Sequence, residues 1–429
     1  MRNWIRFSGA SGRRWYVVLV LCVLYVLSYV DRMILVIIAP GVSASLGLSD
    51  TQLGLLIGTA FALLYATIGV PIAQWMDARD RRWGIVAGVL LWSAATGASG
   101  LATGFGSLLV LRAGVAIGEA VLTPAAVSLI ADLFPANRRT LPMSIYAAVG
   151  AMMNMGALIL GGFALRIAET FAPTYEVEAW RVVFFLLGGT GTLLAILFAM
   201  TVREPTRIIE PADPTASVQD FLVYLRQRGA FYIPFLLGSG LATMFGLSLA
   251  SWAPMILVRG HGLEPADAAS FVGSFGLVAG LVGTLLWPGF AALIDRRRPG
   301  RGPIYGLTTA SILAFIFVFF PMSATPLGVG IGVAGTMGCL AAWGALPPLL
   351  VQYYAPGRMR ARIVSLHLLC VSGIGYALGP PLAASLGEMW GADRGLAIGL
   401  VICGTVTVPA AIVCYLLCVR AMSRLARDT

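Results

Sequence analysis

Long apolar runs, separated by short arginine-rich stretches, recur along the whole 429-residue chain. Each run is about 20 residues, enough for a helix to cross a bilayer. The runs are continuous rather than alternating, which argues against a membrane β-barrel. The pattern predicts spans at 16–42, 54–76, 84–106, 109–133, 142–165 and 182–202. Six more follow at 231–258, 268–293, 304–321, 326–352, 363–387 and 395–419. The polar stretch between the two sets contains Pro205, Pro211 and Pro214, which disfavour helix in its first part. Ser217 can then cap a short helix with Val218, Phe221, Leu222 and Leu225 on one face, lying on the inner membrane surface or packed beneath a bundle. The expected organisation is a basic segment 1–14, a six-helix bundle 15–202, a linker 203–230, a second bundle 231–419 and a tail 420–429.

Composition sharpens this to an all-α membrane protein. The chain is 59% hydrophobic and 11% charged, against about 25% charged in soluble domains. The first run is too long for a signal peptide and no small-residue cleavage site follows it, so it reads as a retained helix. All 29 basic residues are arginine. Arg32 and Arg112 fall within spans, and only Arg166, Arg181, Arg259 and Arg394 fall on the side opposite the arginine-rich loops. That bias puts both termini in the cytoplasm. It also accounts for the net charge of +10 without a nucleic-acid partner, because an anionic leaflet attracts the same arginines. The six cysteines lie inside spans without metal-ligand spacing, and there is no P-loop or catalytic triad spacing. The sequence therefore calls for no metal and no cofactor; an intramembrane enzyme would have to use Asp31, Glu119 and His367.

The two halves repeat. Asp77 in "MDARDRR" and Asp295 in "IDRRR" follow the second and eighth spans. Pro135, Arg139 and Ser144 match Pro356, Arg360 and Ser365, with one constant offset. Paired six-helix repeats suit a transporter that rocks around a central site. Asp77, Arg81, Asp295, Arg139 and Arg360 are then candidate gate residues on the inner loops.

Four charges inside the spans carry the chemistry: Asp31 and Arg32 in the first, Arg112 and Glu119 in the fourth. Each costs roughly 2.5–3.5 kcal/mol at the bilayer centre on insertion scales. Counted from the outer boundary at 1.5 Å per residue, both carboxylates lie roughly 14–15 Å deep. If the two spans adjoin, Arg32 and Arg112 can neutralise Asp31 and Glu119. One reading is an ion-pair cluster that only orients helices. The other is proton coupling through Asp31 and Glu119 with capture of an anionic headgroup by Arg32 and Arg112. The second half has no acidic residue or arginine within its spans; it offers His367 and aromatic residues such as Phe245 and Trp252. A cavity charged on one wall and apolar on the other suits an amphipathic ligand. Tyr65 and Asn154 either face such a cavity or bond between helices.

The chain resembles the major facilitator superfamily in its twelve spans, central linker and repeated Asp/Arg loops. The loop "DARDRR" is similar to the family's signature, with Ala78 where Arg is usual and Asp80 where Gly is usual. "SYVDR" at 28–32, "GTAFALLYATIGVPIAQWMD" at 58–77 and "GEAVLTPAAVSLIADLFPANRR" at 118–139 are similar to the Spinster-like branch, with Ser28 standing for an Asn. The resemblance implies the two-bundle major facilitator fold, a monomer, alternating access and a lysophospholipid or sphingoid-type substrate moved with protons. It carries Asp31, Arg32, Arg112 and Glu119 over as the intramembrane charged set, and Ser28 as a cavity residue. A proton-coupled organic anion symporter or a multidrug-type exporter is the alternative. Exclusive use of arginine, short tails and the absence of an Asn-x-Ser/Thr sequon point to a bacterial inner membrane.

Overall fold

The computed structural model describes residues 9–77, 80–205, 218–391 and 393–425; among them the regular elements are all helices. Among the described residues there are twelve long helical runs. We number them α1 (Gly9–Leu46), α2 (50–77), α3 (Arg81–Ser99), α4 (Phe105–Leu133), α5 (Thr140–Tyr175) and α6 (Ala179–Thr201). They continue as α7 (Gly229–His261), α8 (Pro265–Asp295), α9 (Gly302–Met322), α10 (Pro326–Tyr354), α11 (Gly357–Glu388) and α12 (Gly395–Leu425). Eleven of these are long and apolar enough to cross a membrane. The remaining one, α3, opens on Arg81 and Arg82 and is rich in Gly, Ser and Ala.

Several helices outrun their predicted bounds. The helix α1 starts at Gly9 and runs on through Pro40, and α5 reaches Tyr175 through Pro173. In the other direction, α3 stops at Ser99 rather than 106, at a glycine-rich turn. There the Arg181 guanidinium donates to the carbonyls of Gly100 (2.9 Å) and Ala102 (3.0 Å), satisfying groups the turn leaves open. Three runs are interrupted internally. In α4 two turn residues follow Glu119, just where Pro124 removes a backbone donor. The stretches Leu55–Thr59 of α2 and Val371–Ala377 of α11 are π-helical, a form concentrated at functional or hinge positions.

The chain divides into two compact units: Met1–Leu46 with Leu64–Glu210, and Gly47–Leu63 with Pro211–Thr429. The division falls inside α2, whose first part groups with the second unit. In the first unit, α3 and α4 cross at Gly88 and Gly118. A Cβ on Gly88 would lie 2.8 Å from the Gly118 carbonyl oxygen, and one on Gly118 would lie 2.6 Å from that of Gly88. Only glycine allows this approach, and with little net hydrophobic drive between helices in lipid, such close packing holds them together. In the second unit, the N-terminus of α2 is anchored by polar contacts. Asp50 takes a two-pronged bond from Arg259 (2.7 and 2.8 Å), and Glu388 accepts from the Thr51 amide (2.9 Å).

The sequence repeat has a structural counterpart in each unit taken separately. Arg139 Nε donates to the Phe134 carbonyl (2.9 Å), and Arg360 Nε donates to the Ala355 carbonyl (3.0 Å). Phe134 and Ala355 are the residues that end α4 and α10 in extended conformation. Each arginine thus closes the helix that precedes it. The linker helix is Val218–Gln227; Ser217 lies outside the described residues. Its inner face differs from expectation. Phe221, Tyr224 and Leu225 are half-buried, while Leu222 is 59% exposed. Tyr224 decides the rotation, because its hydroxyl donates to the Tyr354 carbonyl (2.9 Å).

Candidate substrate and proton site

Ser28, Asp31 and Arg32 occupy one turn of α1 at i, i+3 and i+4, so they share a face. Arg112 and Glu119 lie two turns apart on α4. The first unit brings these two faces together. Arg32 Nη2 reaches Glu119 Oε2 at 3.0 Å, and the Ser28 hydroxyl donates to the same oxygen at 2.9 Å. Arg112 donates to the backbone carbonyls of Asp31 (3.2 Å) and Arg32 (3.4 Å), pinning α4 to α1 at the level of the charges. Asp31, Arg112 and Glu119 are almost wholly buried. Arg32 keeps 18% of its side chain exposed. Its guanidinium lies over the rings of Tyr29 (5.1 Å) and Tyr65 (5.2 Å), an orientation favoured by the ring quadrupole.

The two carboxylates differ in how they are held. Glu119 has a guanidinium and a hydroxyl. Asp31 Oδ2 accepts from Thr96 on α3, at 2.5 Å. One oxygen of each, Asp31 Oδ1 and Glu119 Oε1, is buried without a hydrogen-bond partner among the described residues. A buried polar atom left in this state in a native protein asks for a reason.

The expected cavity residues scatter. Tyr65 joins the cluster through Arg32, and Ser28 through Glu119. Asn154 is exposed on α5. Phe245 and Trp252 correct the expectation of an aromatic cavity wall. Both are fully buried in the second unit, and Trp252 Nε1 donates to the Pro380 carbonyl (2.9 Å). His367 is 5% exposed and stacks on Phe235, with ring centroids 5.5 Å apart. A separate recess of about 640 Å³ between α3 and α6, lined by Ser93, Gly97, Leu101, Phe185 and Gly188, contains none of the expected site residues.

At the cytoplasm-predicted loops, Arg81 is 1% exposed and meets Asp132 (2.6 Å), Glu204 (2.7 Å) and the Ser128 hydroxyl (2.8 Å). The Asp77 side chain lies outside the described residues. Asp295 accepts from the Gly302 amide (2.6 Å) and the Tyr353 hydroxyl (3.2 Å) within the second unit. Arg139 and Arg360 serve the helix ends described above. Sequence reasoning missed Thr96, Asp132 and Glu204. The glycine spacing around Gly88 and Gly118 was the available signal for a close α3–α4 crossing, and hence for a polar residue on α3 reaching α1.

Comparison with known proteins supplies the context. The family model described as Major Facilitator Superfamily matches residues 21–380. The chain is 28% identical over 407 residues to Protein spinster homolog 1 of Homo sapiens, covering 87% of this chain and 74% of the relative. It is 29% identical over 316 residues to an MFS-type efflux pump of Mycolicibacterium smegmatis, covering 71% and 70%. It is also similar to the crystal structure of a bacterial homolog to the human lysosomal transporter Spinster, inward-facing and unoccupied. That match has a TM-score of 0.80 and 26% identity, and covers 97% of this chain and 99% of the other.

Proposed function

Because this chain belongs to the Major Facilitator Superfamily, as a Spinster-like multi-pass membrane transporter, we propose that it moves an amphipathic, lipid-like substrate by proton-coupled alternating access. The substrate class is a lysophospholipid or a sphingoid-type lipid. The observation that carries the reading is the buried cluster of Asp31, Glu119, Arg32 and Arg112, in which Arg32 alone keeps a substantial exposed edge. An anionic headgroup at that edge competes with Glu119 for the guanidinium. A carboxylate that loses its counter-charge in a buried setting gains proton affinity. Proton and substrate occupancy are thereby linked, with a coupling of about 1–3 kcal/mol as is usual for linked sites. The gate residues of this reading are Asp77, Arg81, Arg139, Asp295 and Arg360, on inner loops of a bacterial inner-membrane protein with both termini cytoplasmic. The transporter works as a monomer between six-helix bundles 15–202 and 231–419.

The test is flux in liposomes. Labelled lysophosphatidylcholine and sphingosine-1-phosphate are offered across an imposed pH gradient, to the intact chain and to the double variant Asp31→Asn, Glu119→Gln. Gradient-sensitive uptake that the double variant loses supports the reading; coupling that survives in it removes these carboxylates from the mechanism. The similarity to an efflux pump favours one second reading, export of apolar drug-like molecules by the same superfamily. Competition by hydrophobic cations and not by lysolipids would select it. Competition by short sugar acids alone would select an organic anion symporter, in line with 27% identity over 274 residues to the Hexuronate transporter of Bacillus subtilis.

A further inference from the structure

Hydroxyl groups on buried helices have a default partner, the carbonyl three or four residues back. This chain follows the default at Ser99 to Ala95, Thr192 to Gly188, Thr243 to Ser239, Ser248 to Met244 and Thr308 to Ile304. Thr96 departs from it. It sits in the last turn of α3 at 1% exposure, with the Trp92 carbonyl one turn back, yet its hydroxyl donates across to Asp31 Oδ2 on α1.

We propose that Thr96 is a positioning residue for proton transfer at Asp31, holding the ionised carboxylate by donation and reversing its bond when Asp31 takes up a proton. The proposal rests on the reading that Asp31 carries the coupled proton. An ionised carboxylate only accepts hydrogen bonds, whereas a protonated one has an O–H to give. On protonation, the new Asp31 O–H donates to Thr96 Oγ, and the Thr96 proton turns to the Trp92 carbonyl, the default partner. No bond other than O–H is made or broken, and the proton count stays balanced by the one taken up. Both settings leave the buried hydroxyl satisfied, so the switch costs little in stranded polar groups. Ser28 cannot play this part for Asp31, because its hydroxyl is committed to Glu119.

The charged neighbours of Asp31 are accounted for element by element. Arg112 and Glu119 face it from α4 and Arg32 from its own helix. Tyr65 of α2 lies against Arg32, and Tyr146 of α5 stacks on Tyr25 of α1. Asp132 of α4 is engaged by Arg81, and Arg181 of α6 by Glu178. Thr96 is the side-chain hydrogen bond to the Asp31 carboxylate from α3.

The experiment is an infrared difference titration of the intact chain in lipid nanodiscs, following the stretch of protonated carboxylic acids against pH, with no substrate present. Asp31→Asn identifies the Asp31 band by its loss. Thr96→Val, which keeps the shape and removes the donor, is expected to raise the pH at which that band appears by about one unit, equal to about 1.4 kcal/mol. Thr96→Ala repeats the measurement should the valine variant fold poorly, and Thr96→Ser, which keeps the hydroxyl, is expected to titrate as the unaltered chain. Valine and alanine variants that titrate as the unaltered chain, or a serine variant that shifts as they do, overturn the role of Thr96 while leaving Asp31 as the proton carrier. If Asp31→Asn removes no titrating band, the proton reading at Asp31 falls, and the Thr96 proposal falls with it.

Discussion

Arg81→Met isolates the ion cluster at one end of the first unit. The Arg81 side chain is 2% exposed, Asp132 8% and Glu204 25%. Breaking a buried pair costs about 3–5 kcal/mol, most of it from the charge left behind rather than from the bond lost. Asp132 is the more buried of the two carboxylates that lose the Arg81 charge. Glu204 suffers less, because it is partly solvated and also accepts from the Arg82 amide at 2.9 Å at the N-terminus of α3. The expected loss is therefore at the lower end, about 3 kcal/mol. Methionine keeps much of the arginine's volume, so packing contributes little to it. Adding Asp132→Asn in the same chain removes the more buried of the two negative charges and is expected to recover part of the loss. The assay is a double-mutant cycle on reversible SDS-induced unfolding in mixed micelles, read by near-ultraviolet circular dichroism. If Arg81→Met unfolds at the same SDS fraction as the unaltered chain, or if Asp132→Asn deepens the loss when added to Arg81→Met, the argument from buried charge is wrong.

Other consequences follow from the same geometry. Gly58→Ala would put a Cβ 2.4 Å from the Tyr376 carbonyl oxygen, so overpacking of about 1–3 kcal/mol should lower the thermal melting point; Gly189→Ala, with nothing within 4 Å, should leave it unchanged or raise it. The Arg259–Asp50 pair is two-pronged and mostly shielded, with side chains 21% and 15% exposed; Arg259→Lys keeps the charge, loses the fork, and should cost about 1 kcal/mol in a denaturation titration, less at high salt. Hydrogen bonding from Ser45 and then from Arg181 holds the Glu178 carboxyl below the usual range. A group whose folded value is depressed stabilises above its unfolded value and ceases to do so as pH falls through the folded one. The melting-point difference between the unaltered chain and Glu178→Gln should accordingly be present at about pH 6 and shrink as the pH falls below the usual glutamate range.

How far the sequence could be read depends on what each residue's position was selected against. A bilayer penalises every polar group by itself, so the helical runs and the odd charges within them stand out one residue at a time. Asp31, Arg32, Arg112 and Glu119 were legible for that reason, and depth counted along each helix put Glu119 level with Asp31, one residue from Arg32; that the two spans adjoin had to be assumed. Contacts between helices depend instead on how each is rotated about its axis. A helix apolar on all sides carries no stripe that records the rotation, because lipid and protein interior accept the same side chains. Phe245 and Trp252 could therefore be assigned to a cavity wall by type alone, yet they lie inside the second unit. Thr96 was unreadable on the same ground, since a threonine in a span costs little and its usual bond is to its own helix. Glu204 was hidden differently. It follows α6 in a stretch read as linker, and only the fold returns it to the start of α3. The close crossing at Gly88 and Gly118 connects these omissions. It sets the rotation of α3 against α4, and that rotation turns Thr96 toward Asp31 in the last turn of α3 and Arg81 toward Asp132 at its first residue. A Cβ at Gly118 would lie 2.7 Å from the Trp92 nitrogen on α3. Gly118→Ala should therefore disturb both polar sites together, shifting the Asp31 infrared titration and lowering the SDS unfolding midpoint. A variant that moved only one of them would mean that the two are positioned independently.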